Sequence, residues 1–261
     1  LHVDVDCFYA QSAFIRNFPN TDLADEPPIA MRQKHIIVTA NYPARELGVK
    51  KLMSYEGAVQ IDKKLGGGVL KFIDASDLTL FREDAFHIES TIREWASSTA
   101  STRSCPVQKR GMDEFDVDVT SRGGKNNGRD LALALQKFIH DKTSFNVSVG
   151  IAASPFLAKL AAGRKKPNGV SSLTQQSAAS LLPKMPLRII PGLGSNTARQ
   201  IRRSVLKANN IKEPEDVDRK DRVTLTCANL KRTPLTELRA SIGGEAARRF
   251  LQLADGIDDS E

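Results

Sequence analysis

Apolar and acidic residues alternate at the beginning of the chain. Val3 and Val5 alternate with Asp4 and Asp6. A period of two predicts a strand over residues 1–8 with one buried face, and it places both aspartates on the same side of that strand. The apolar spacing then changes, which predicts that a helix starts over residues 9–15.

The next segment reads as a hairpin followed by a short helix. In residues 29–39, two apolar runs flank a polar middle, which is typical of two strands joined by a turn. Asn41 is a suitable N-cap, Pro43 is tolerated in a first helical turn, and Gly48 stands where a helix would stop. Further along, the pattern predicts a helix over residues 50–65, a strand over residues 69–73 and an amphipathic helix over residues 78–95.

The second half of the chain combines one more strand with several helices. Val147, Val149 and Ile151 alternate with small residues, which predicts a strand over residues 146–152. The remaining assignments are a surface loop over residues 121–130, a helix over residues 131–139, a helix over residues 156–166 opened by Ser154 and Pro155, and an all-helical region from about residue 171.

A second acidic stretch carries four carboxylates within six residues. Asp113, Glu114, Asp116 and Asp118 stand among apolar residues. Unpaired carboxylates repel one another and are costly to bury, whereas a divalent cation prefers oxygen-rich sites. Asp113 and Glu114 converge only if a turn or bulge falls beside them, because neighbours in a regular strand point to opposite faces. Together with Asp4, the stretch predicts a metal site; a solvated acidic turn is the alternative.

Composition narrows the class of protein. The chain of 261 residues is 40% hydrophobic, and no apolar run approaches the length of a membrane span. Three cysteines without a CxxC pair argue against a disulfide framework and structural zinc, and they fit a reducing compartment. The four histidines, His2, His35, His87 and His140, show no metal-ligand spacing, and we expect them to be ordinary surface or half-buried residues.

The net charge of +7 lies entirely in the last part of the chain. Residues 161–261 hold 18 basic and 11 acidic residues, while the two signs cancel before them. A basic region beside an acidic one suggests a module that binds anions next to a metal site, and nucleic acid is the most obvious anion. Solubility alone is the alternative explanation.

Three further features favour phosphate contacts. Tyr42 and Arg45 share a face near a helix N-terminus, and Lys159 lies off the apolar face of its helix. Residues 191–194 form a glycine turn that opens a basic helix containing Arg199, as in helix-hairpin-helix units that approach a phosphodiester. Each has a plain alternative: a surface Arg–Tyr contact, a solvated lysine and a simple turn between helices.

Taken together, these stretches resemble the Y-family translesion DNA polymerases over essentially the whole chain. The motifs that carry the resemblance are Asp4-x-Asp6-Cys7-Phe8-Tyr9-Ala10, Asn41-Tyr42-x-Ala44-Arg45-x-x-Gly48-Val49, Asp113-Glu114, Val149-Gly150-Ile151, Leu157-Ala158-Lys159-Leu160, Lys165-Lys166-Pro167-Asn168-Gly169 and Pro191-Gly192-Leu193-Gly194. The resemblance implies an α/β (α+β) right-hand polymerase fold. Residues 1–8 and 86–170 would form the palm, residues 9–85 the fingers and residues 171–261 an all-helical thumb.

The resemblance also implies site residues and cofactors. Asp4, Asp113 and Glu114 would be catalytic and, with the Val5 carbonyl, would hold two Mg²⁺ ions, for which Mn²⁺ could substitute. The nucleotide-binding residues would be Cys7, Phe8, Tyr9, Thr39, Tyr42, Arg45 and Lys159, with Tyr9 as a steric gate against a ribose 2′-hydroxyl. Gln33, Ile36 and Val38 would line the template-base pocket, and Gly192, Gly194 and Arg199 would contact the DNA backbone.

The implied activity is template-directed addition of dNTPs to a primer 3′-hydroxyl with low fidelity. Within the family the chain is most similar to iota-type members, whose narrowed site favours a Hoogsteen-type pair opposite template purines. The implied partners are primer-template DNA and a dNTP, with a sliding clamp or ubiquitin reached through further C-terminal regions. We expect a monomer in the nucleus with no membrane association. The alternatives are an eta- or kappa-like bypass polymerase, a deoxycytidyl transferase or a non-catalytic DNA-binding fragment.

Several positions depart from the family pattern. Ser154-Pro155 replaces the usual Asn-Lys, Ile36 replaces an expected leucine, and Met112 and Phe115-Asp116 are atypical neighbours of the carboxylate pair. Asp6 is expected to be structural, and Asp116 and Asp118 are expected to be solvated or salt-bridged. The chain opens on a strand without Met and stops near the end of the thumb. We therefore expect the true N-terminus upstream and a little-finger domain missing from this chain, either by truncation or in a naturally shortened enzyme.

Overall fold

The computed structural model describes residues 1–18, 21–98, 104–213 and 222–258. The chain divides into two compact units. The first comprises Leu1–Ile151 and Ala161–Ser171, and the second comprises Ala152–Leu160 and Ser172–Glu261. Within the described ranges, no helix has the length and apolar character needed to cross a membrane.

Strands and helices mix along the first two thirds of the chain, and helices follow. In chain order the elements are β1 (His2–Val5), α1 (Phe8–Asn17), β2 (Ile29–Gln33), β3 (Ile36–Ala40), α2 (Tyr42–Glu46), α3 (Tyr55–Lys64), β4 (Lys71–Asp74), α4 (Thr79–Ser97), β5 (Val107–Lys109), β6 (Glu114–Val117), α5 (Gly124–Thr143), β7 (Val147–Ile151), α6 (Pro155–Ala162) and β8 (Val170–Ser172). They continue with α7 (Gln175–Leu181), α8 (Ser195–Ala208), α9 (Cys227–Lys231), α10 (Leu235–Ile242) and α11 (Gly244–Ala254). The expected mixed fold class is confirmed.

The larger sheet has the strand order β5-β6-β1-β7-β8, with β1 in the middle. β1 runs antiparallel to both β6 and β7. Alternation along these strands sends Val3, Phe115 and Val149 into a common core with residues of α4 and α5. Phe115 is fully buried, and burying a phenylalanine side chain stabilises a fold by about 1.5–3 kcal/mol. The same alternation sends the acidic residues of β1 and β6 to the opposite face of the sheet.

The smaller sheet has the order β3-β2-β4 and forms the predicted hairpin plus one parallel strand. Its own core joins β2 and β3 to α2 and α3 through small and aliphatic residues. Asn41 caps α2 as predicted: its Oδ1 accepts hydrogen bonds from the backbone N–H groups of Ala44 (3.1 Å) and Ile29 (2.8 Å). Gly48 adopts φ +98°, which only glycine adopts without strain, and this ends the α2 segment.

In the second unit, α8, α9, α10 and α11 pack together. Ile201, Val205, Leu230 and Leu238 are fully buried there. The predicted glycine turn before α8 is present. Gly192 has φ +81°, and a Cβ atom added to it would lie 3.5 Å from the ring of Phe250.

Two element predictions are wrong. Residues 50–54 are not helical, because Leu52 has φ +66° and Ser54 caps α3 by accepting from the N–H of Gly57. Residues 121–130 are not a loop: α5 begins at Gly124. Asn127 has non-helical backbone angles (φ −116°, ψ 15°), so α5 is kinked there. A Cβ at the neighbouring Gly128 would lie 3.0 Å from Ile151, so this glycine permits close packing at the kink.

Candidate metal and phosphate site

The register of the larger sheet brings the two acidic stretches together. Asp4 on β1 lies directly opposite Glu114 on β6. The N–H groups of Arg110 and Gly111 both donate to the carbonyl of Glu114, at 2.9 and 3.3 Å, so a turn falls where the sequence requires one. Asp113 ends that turn, and its carbonyl accepts from the N–H of Val5 at 2.9 Å. Three half-buried carboxylates, Asp4, Asp113 and Glu114, therefore meet at one place.

The electrostatics of this group favour a bound cation. Burial raises the pKa of Asp113 above its usual value, and the negative charges of Asp4 and Glu114 raise it further. These charges repel one another in a partly desolvated place, which a divalent cation would relieve. Carboxylate and carbonyl oxygens are the donors that hard divalent cations prefer, so the residues present suit Mg²⁺.

Lys166 is the functional candidate that sequence reasoning missed. Its Nζ forms an ion pair with Oδ1 of Asp4 and lies 3.7 Å from Oδ1 of Asp6. The backbone that follows Lys166 is fixed in position because the N–H of Asn168 donates to Oδ2 of Asp6 at 2.7 Å. The only signal in the sequence was the Lys-Pro-Asn-Gly run, which carried part of the resemblance without a role for its lysine.

Asp6 joins several segments of the first unit, as expected for a structural residue. It is 3% exposed, and the hydroxyl of Ser148 donates to both of its carboxylate oxygens at 2.9 Å. The phenol of Tyr42 lies 3.4 Å from its Oδ1. Burial raises the pKa of Asp6, although the N–H of Asn168 and the charge of Lys166 act in the opposite direction.

His2 corrects the expectation that every histidine is a surface or half-buried residue. It is 1% exposed, whereas the other three histidines are exposed. Its Nδ1 lies 2.7 Å from Oδ1 of Asp116, the residue opposite it on β6. One ring nitrogen of His2 and one carboxylate oxygen each from Asp4 and Glu114 lie within 4.8 Å of one another.

Asp116 and Asp118 are engaged in the ways the sequence predicts. Arg110 donates from Nε to Oδ2 of Asp116 at 2.5 Å. Burial alone would raise the pKa of Asp116, but the hydrogen bonds from His2 and Arg110 outweigh it and leave that pKa below the usual value. Asp118 is exposed and accepts from the N–H of Thr120 at 2.8 Å.

The start of α1 places three predicted nucleotide contacts next to the acidic group. Cys7 has φ +47°, Phe8 is buried in the core, and Tyr9 is half-buried. The ring of Tyr9 packs edge-on against Phe81 with centroids 4.7 Å apart. Burial raises the pKa of Tyr9, and the charge of Asp113 adds to the effect.

The predicted phosphate contacts from the smaller sheet are also in the first unit. Arg45 is exposed, its Nε donates to the carbonyl of Ala40 at 2.8 Å, and its guanidinium lies 4.9 Å from the centroid of the Tyr42 ring. Burial and the charge of Asp6 raise the pKa of Tyr42, so its hydroxyl stays protonated as a donor. Thr39 is buried at the end of β3.

The remaining predicted residues belong to the smaller sheet and to the second unit. Gln33 donates to the carbonyl of Ala75 at 2.6 Å, Ile36 is 44% exposed, and Val38 packs against the core. The residues of the second unit are Lys159, Gly192, Gly194 and Arg199, and all four are exposed there. The geometry described above concerns the first unit alone.

A cavity of about 780 Å³ in the first unit is lined by Asp6, Cys7 and Tyr42 but not by Asp4, Asp113 or Glu114. Its rim also carries Asp22, Glu26 and Glu46. The lining also includes Lys137, and the predicted phosphate contacts Tyr42 and Cys7 line this cavity together with Asp6.

Comparisons with known proteins agree with the resemblance. A sequence model of the impB/mucB/samB family matches residues 3–163. Mouse DNA polymerase iota is 27% identical, and the match covers 100% of this chain but 36% of that protein. DNA polymerase IV of Mannheimia succiniciproducens is 25% identical, covering 100% of this chain and 64% of that protein. The insertion ternary complex of Dbh DNA polymerase superposes with a TM-score of 0.74 at 25% identity, covering 100% of this chain and 68% of that one.

Proposed function

The chain belongs to the impB/mucB/samB family, the Y family of DNA polymerases, and from that membership we propose that it is a catalytic part of a template-directed translesion DNA polymerase. The chain spans about a third of the length of the mammalian iota relative it matches. The observation that carries the proposal is the meeting of Asp4 and Glu114 across β1 and β6, with Asp113 at the turn beside them. A binding module would have no need to hold three mutually repelling carboxylates together.

In the proposed reaction, the three carboxylates and the Val5 carbonyl hold two Mg²⁺ ions, with Mn²⁺ as a substitute. Such ions, when bound, lower the pKa of a primer 3′-hydroxyl and stabilise the charge on a leaving pyrophosphate. The protein contributes by fixing its oxygen donors in the register of a sheet, so that little reorganisation accompanies binding.

Lys166 joins the proposed triphosphate contacts Tyr42, Arg45 and Lys159. Its ammonium group lies against Asp4 and Asp6, where it offsets carboxylate charge. With Asp4 serving as a metal ligand, the ammonium of Lys166 would be available to a phosphate oxygen within reach. The phenol of Tyr42 and the exposed guanidinium of Arg45 offer further donors. The backbone of Cys7 and Phe8 and the Thr39 hydroxyl complete this proposed set.

The sugar and base contacts of the proposal lie on rigid elements. Tyr9 is held edge-on by Phe81, which suits a ring that excludes a ribose 2′-hydroxyl by its volume. Gln33, Ile36 and Val38 belong to the hairpin of the smaller sheet, and the 44% exposure of Ile36 leaves an apolar surface for a template base. A narrowed, iota-like pocket with low fidelity is the finer form of the proposal, and an eta- or kappa-like site is its rival.

In the proposed subdomain assignment, the larger sheet is the palm, the smaller sheet with α2 and α3 belongs to the fingers, and the helices from residue 171 form the thumb. Gly192, Gly194 and Arg199 would contact the DNA backbone. The proposed partners are primer-template DNA and a dNTP, with a sliding clamp or ubiquitin bound by regions outside this chain. A monomer acting in the nucleus completes the proposal.

The test is single-nucleotide primer extension with Mg²⁺ or Mn²⁺, each dNTP supplied separately opposite template A and template T. Accurate insertion opposite A with poor accuracy opposite T supports the iota-like form. Equal accuracy opposite both favours the eta- or kappa-like form. If neither this chain nor a version carrying the downstream domain extends a bound primer, the polymerase proposal is wrong.

A further inference from the structure

His2 brings a nitrogen donor to the carboxylate site. We propose that His2, Asp4 and Glu114 form a mixed nitrogen and oxygen site for a borderline divalent ion, such as Zn²⁺ or Co²⁺. This site would share two carboxylates with the proposed Mg²⁺ centre. The inference concerns metal binding and holds whether or not the chain extends a primer.

The sheet register places the three donors on one face. His2 and Asp4 are two residues apart on β1, so their side chains point to the same side. Their partners on β6 are Asp116 and Glu114, which share that side as well. A ring nitrogen and two carboxylate oxygens lie within 4.8 Å of one another. Tetrahedral zinc ligands lie about 3.4 Å apart at ordinary bond lengths, so a bound ion would draw these three side chains together.

Asp116 determines which ring nitrogen of His2 is available to bind a metal ion. Arg110 forms an ion pair with Oδ2 of Asp116, and an ionised carboxylate can only accept, so the 2.7 Å contact places a proton on Nδ1 of His2. In a neutral imidazole, Nε2 then carries the free lone pair. That atom is buried and has no hydrogen-bond partner in the part of the chain that the structure describes. A buried acceptor without a partner is costly, and a metal ion would satisfy it.

The supporting contacts continue outward from the ring. Arg110 donates to Oδ2 of Asp116 and holds that carboxylate in place. The carboxylate in turn orients the imidazole of His2. Metal-binding histidines in proteins ordinarily donate their other N–H to a carboxylate in this way, which sets the tautomer and the ring orientation.

The donor set predicts selectivity among ions. Mg²⁺ prefers oxygen donors and loses its water reluctantly, whereas Zn²⁺ and Co²⁺ bind imidazole readily. Asp4 also pairs with Lys166, so a bound ion must displace that ammonium. Because Asp4 and Glu114 serve both kinds of ion, a borderline ion at His2 should compete with Mg²⁺.

The experiment measures metal binding to the whole chain in the absence of DNA. Zn²⁺ affinity is obtained by competition with a chromophoric chelator, Mg²⁺ affinity by calorimetry, and imidazole coordination by pulsed EPR of one equivalent of Cu²⁺. His2→Phe should weaken Zn²⁺ binding at least tenfold, abolish the imidazole nitrogen signal and leave Mg²⁺ affinity within about twofold of the wild-type value. His35→Phe is the matched control, because the His35 side chain is 87% exposed, and it should retain both the affinity and the signal.

Two further variants guard against a folding defect in His2→Phe. Asp116→Asn keeps the ring but removes the carboxylate that fixes its tautomer, and it should weaken Zn²⁺ binding about 10–100-fold. Glu114→Gln should weaken Zn²⁺ binding while His2 is intact. Unchanged Zn²⁺ affinity in folded His2→Phe or in Asp116→Asn overturns the inference. A chain that binds Zn²⁺ through His2 but never extends a primer would contradict only the polymerase proposal.

Discussion

Asp4 lies directly opposite Glu114 in the register of β1 and β6, although 110 positions separate them along the chain. The pairing places two like charges face to face, an arrangement that ordinarily destabilises an antiparallel pair of strands. A folded protein tolerates it where the charges are needed. Burial raises the pKa of the neighbouring Asp113, and the charges of Asp4 and Glu114 raise it further. The site is therefore built at some expense of stability.

The first prediction concerns the loss of stability that the carboxylate cluster causes. Glu114→Gln with Asp113→Asn removes two like charges without removing volume. We expect primer extension to fall at least a thousandfold, because the cation donors are lost, while the melting temperature of the metal-free chain stays level or rises. Single-turnover extension and thermal melts monitored by circular dichroism measure the two effects.

The matched control is Asp118→Asn, which removes an exposed carboxylate of the same stretch that only caps a turn. It should leave extension within about threefold of the wild-type rate. Extension that survives the double substitution would show that the carboxylates at this turn do not hold the catalytic ions.

The second prediction concerns Lys166. Lys166→Met keeps the aliphatic stem but removes the ammonium from Asp4 and Asp6. We expect KM for the dNTP to rise about 10–100-fold if this ammonium binds the triphosphate, because charge-assisted contacts to phosphate are among the stronger ones. Mg²⁺ affinity of the free chain should rise in the same variant, because a competing cation has gone. Steady-state kinetics and calorimetry measure the two quantities.

Lys137→Met is the control for Lys166, because Lys137 is a 75% exposed lysine on α5 that pairs with Asp141. Lys137→Met should change neither KM for the dNTP nor the Mg²⁺ affinity of the free chain. A rise in KM without any change in Mg²⁺ affinity would show that Lys166 contacts the nucleotide but does not compete for Asp4.

The sequence predicts the acidic strand at Asp4 and the turn beside Glu114 because the signals for both are local. Alternation around Asp4 fixes the strand and its face, and the requirement for a turn before Glu114 follows from the geometry of a strand. Lys166 and His2 escaped prediction for a different reason. The environment of each is set by residues far along the chain, Asp4 for the lysine and Asp116 for the histidine. A sequence without its register cannot show which polar residues a strand will face.

The fold shows the same division between local and distant causes. The cap at Asn41 and the stop at Gly48 were predicted correctly, since both act within one turn of helix. The early start of α5 was missed because its first turn is followed by a kink at Asn127, where Gly128 packs against Ile151, a residue of another element. Glycine that permits close packing looks the same in a sequence as glycine that breaks a helix.

The third prediction concerns the backbone that carries Lys166. A Cβ atom at Gly169 would lie 1.7 Å from the carbonyl oxygen of Lys165, which is far inside contact distance with an atom that cannot rotate away. Gly169→Ala should therefore lower the free energy of unfolding by about 2 kcal/mol or more, as forced overpacking does. Urea denaturation at equilibrium measures the change.

Gly163→Ala is the matched control in the same segment, because a Cβ there meets nothing within 4 Å. It should be neutral or slightly stabilising, since alanine restricts the unfolded chain. Equal stability of the two variants would mean that the segment around Gly169 can shift without cost, and the position of Lys166 would then not depend on it.

The fourth prediction concerns pH and the smaller sheet. The carboxylate of Asp62 accepts from the N–H groups of Gly68 and Leu70, each at 2.8 Å, and ties the glycine turn after α3 to the start of β4. The hydrogen bond from Leu70, followed by that from Gly68, lowers the pKa of Asp62 below its ordinary value of 3.8. A lowered pKa means that the folded state prefers the ionised form. The stabilising effect of the ionised Asp62 is thus fully present above pH 3.8 and is lost as the pH falls through the lowered pKa.

Asp62→Asn should therefore melt at a lower temperature than the wild-type chain at pH 7, and the two melting temperatures should converge below the lowered pKa. The exposed Asp130→Asn, on α5, is the control and should melt with the wild-type chain at both pH values. If the gap between Asp62→Asn and the wild-type chain were the same at pH 7 and in strong acid, the ionised carboxylate would not be what holds this turn.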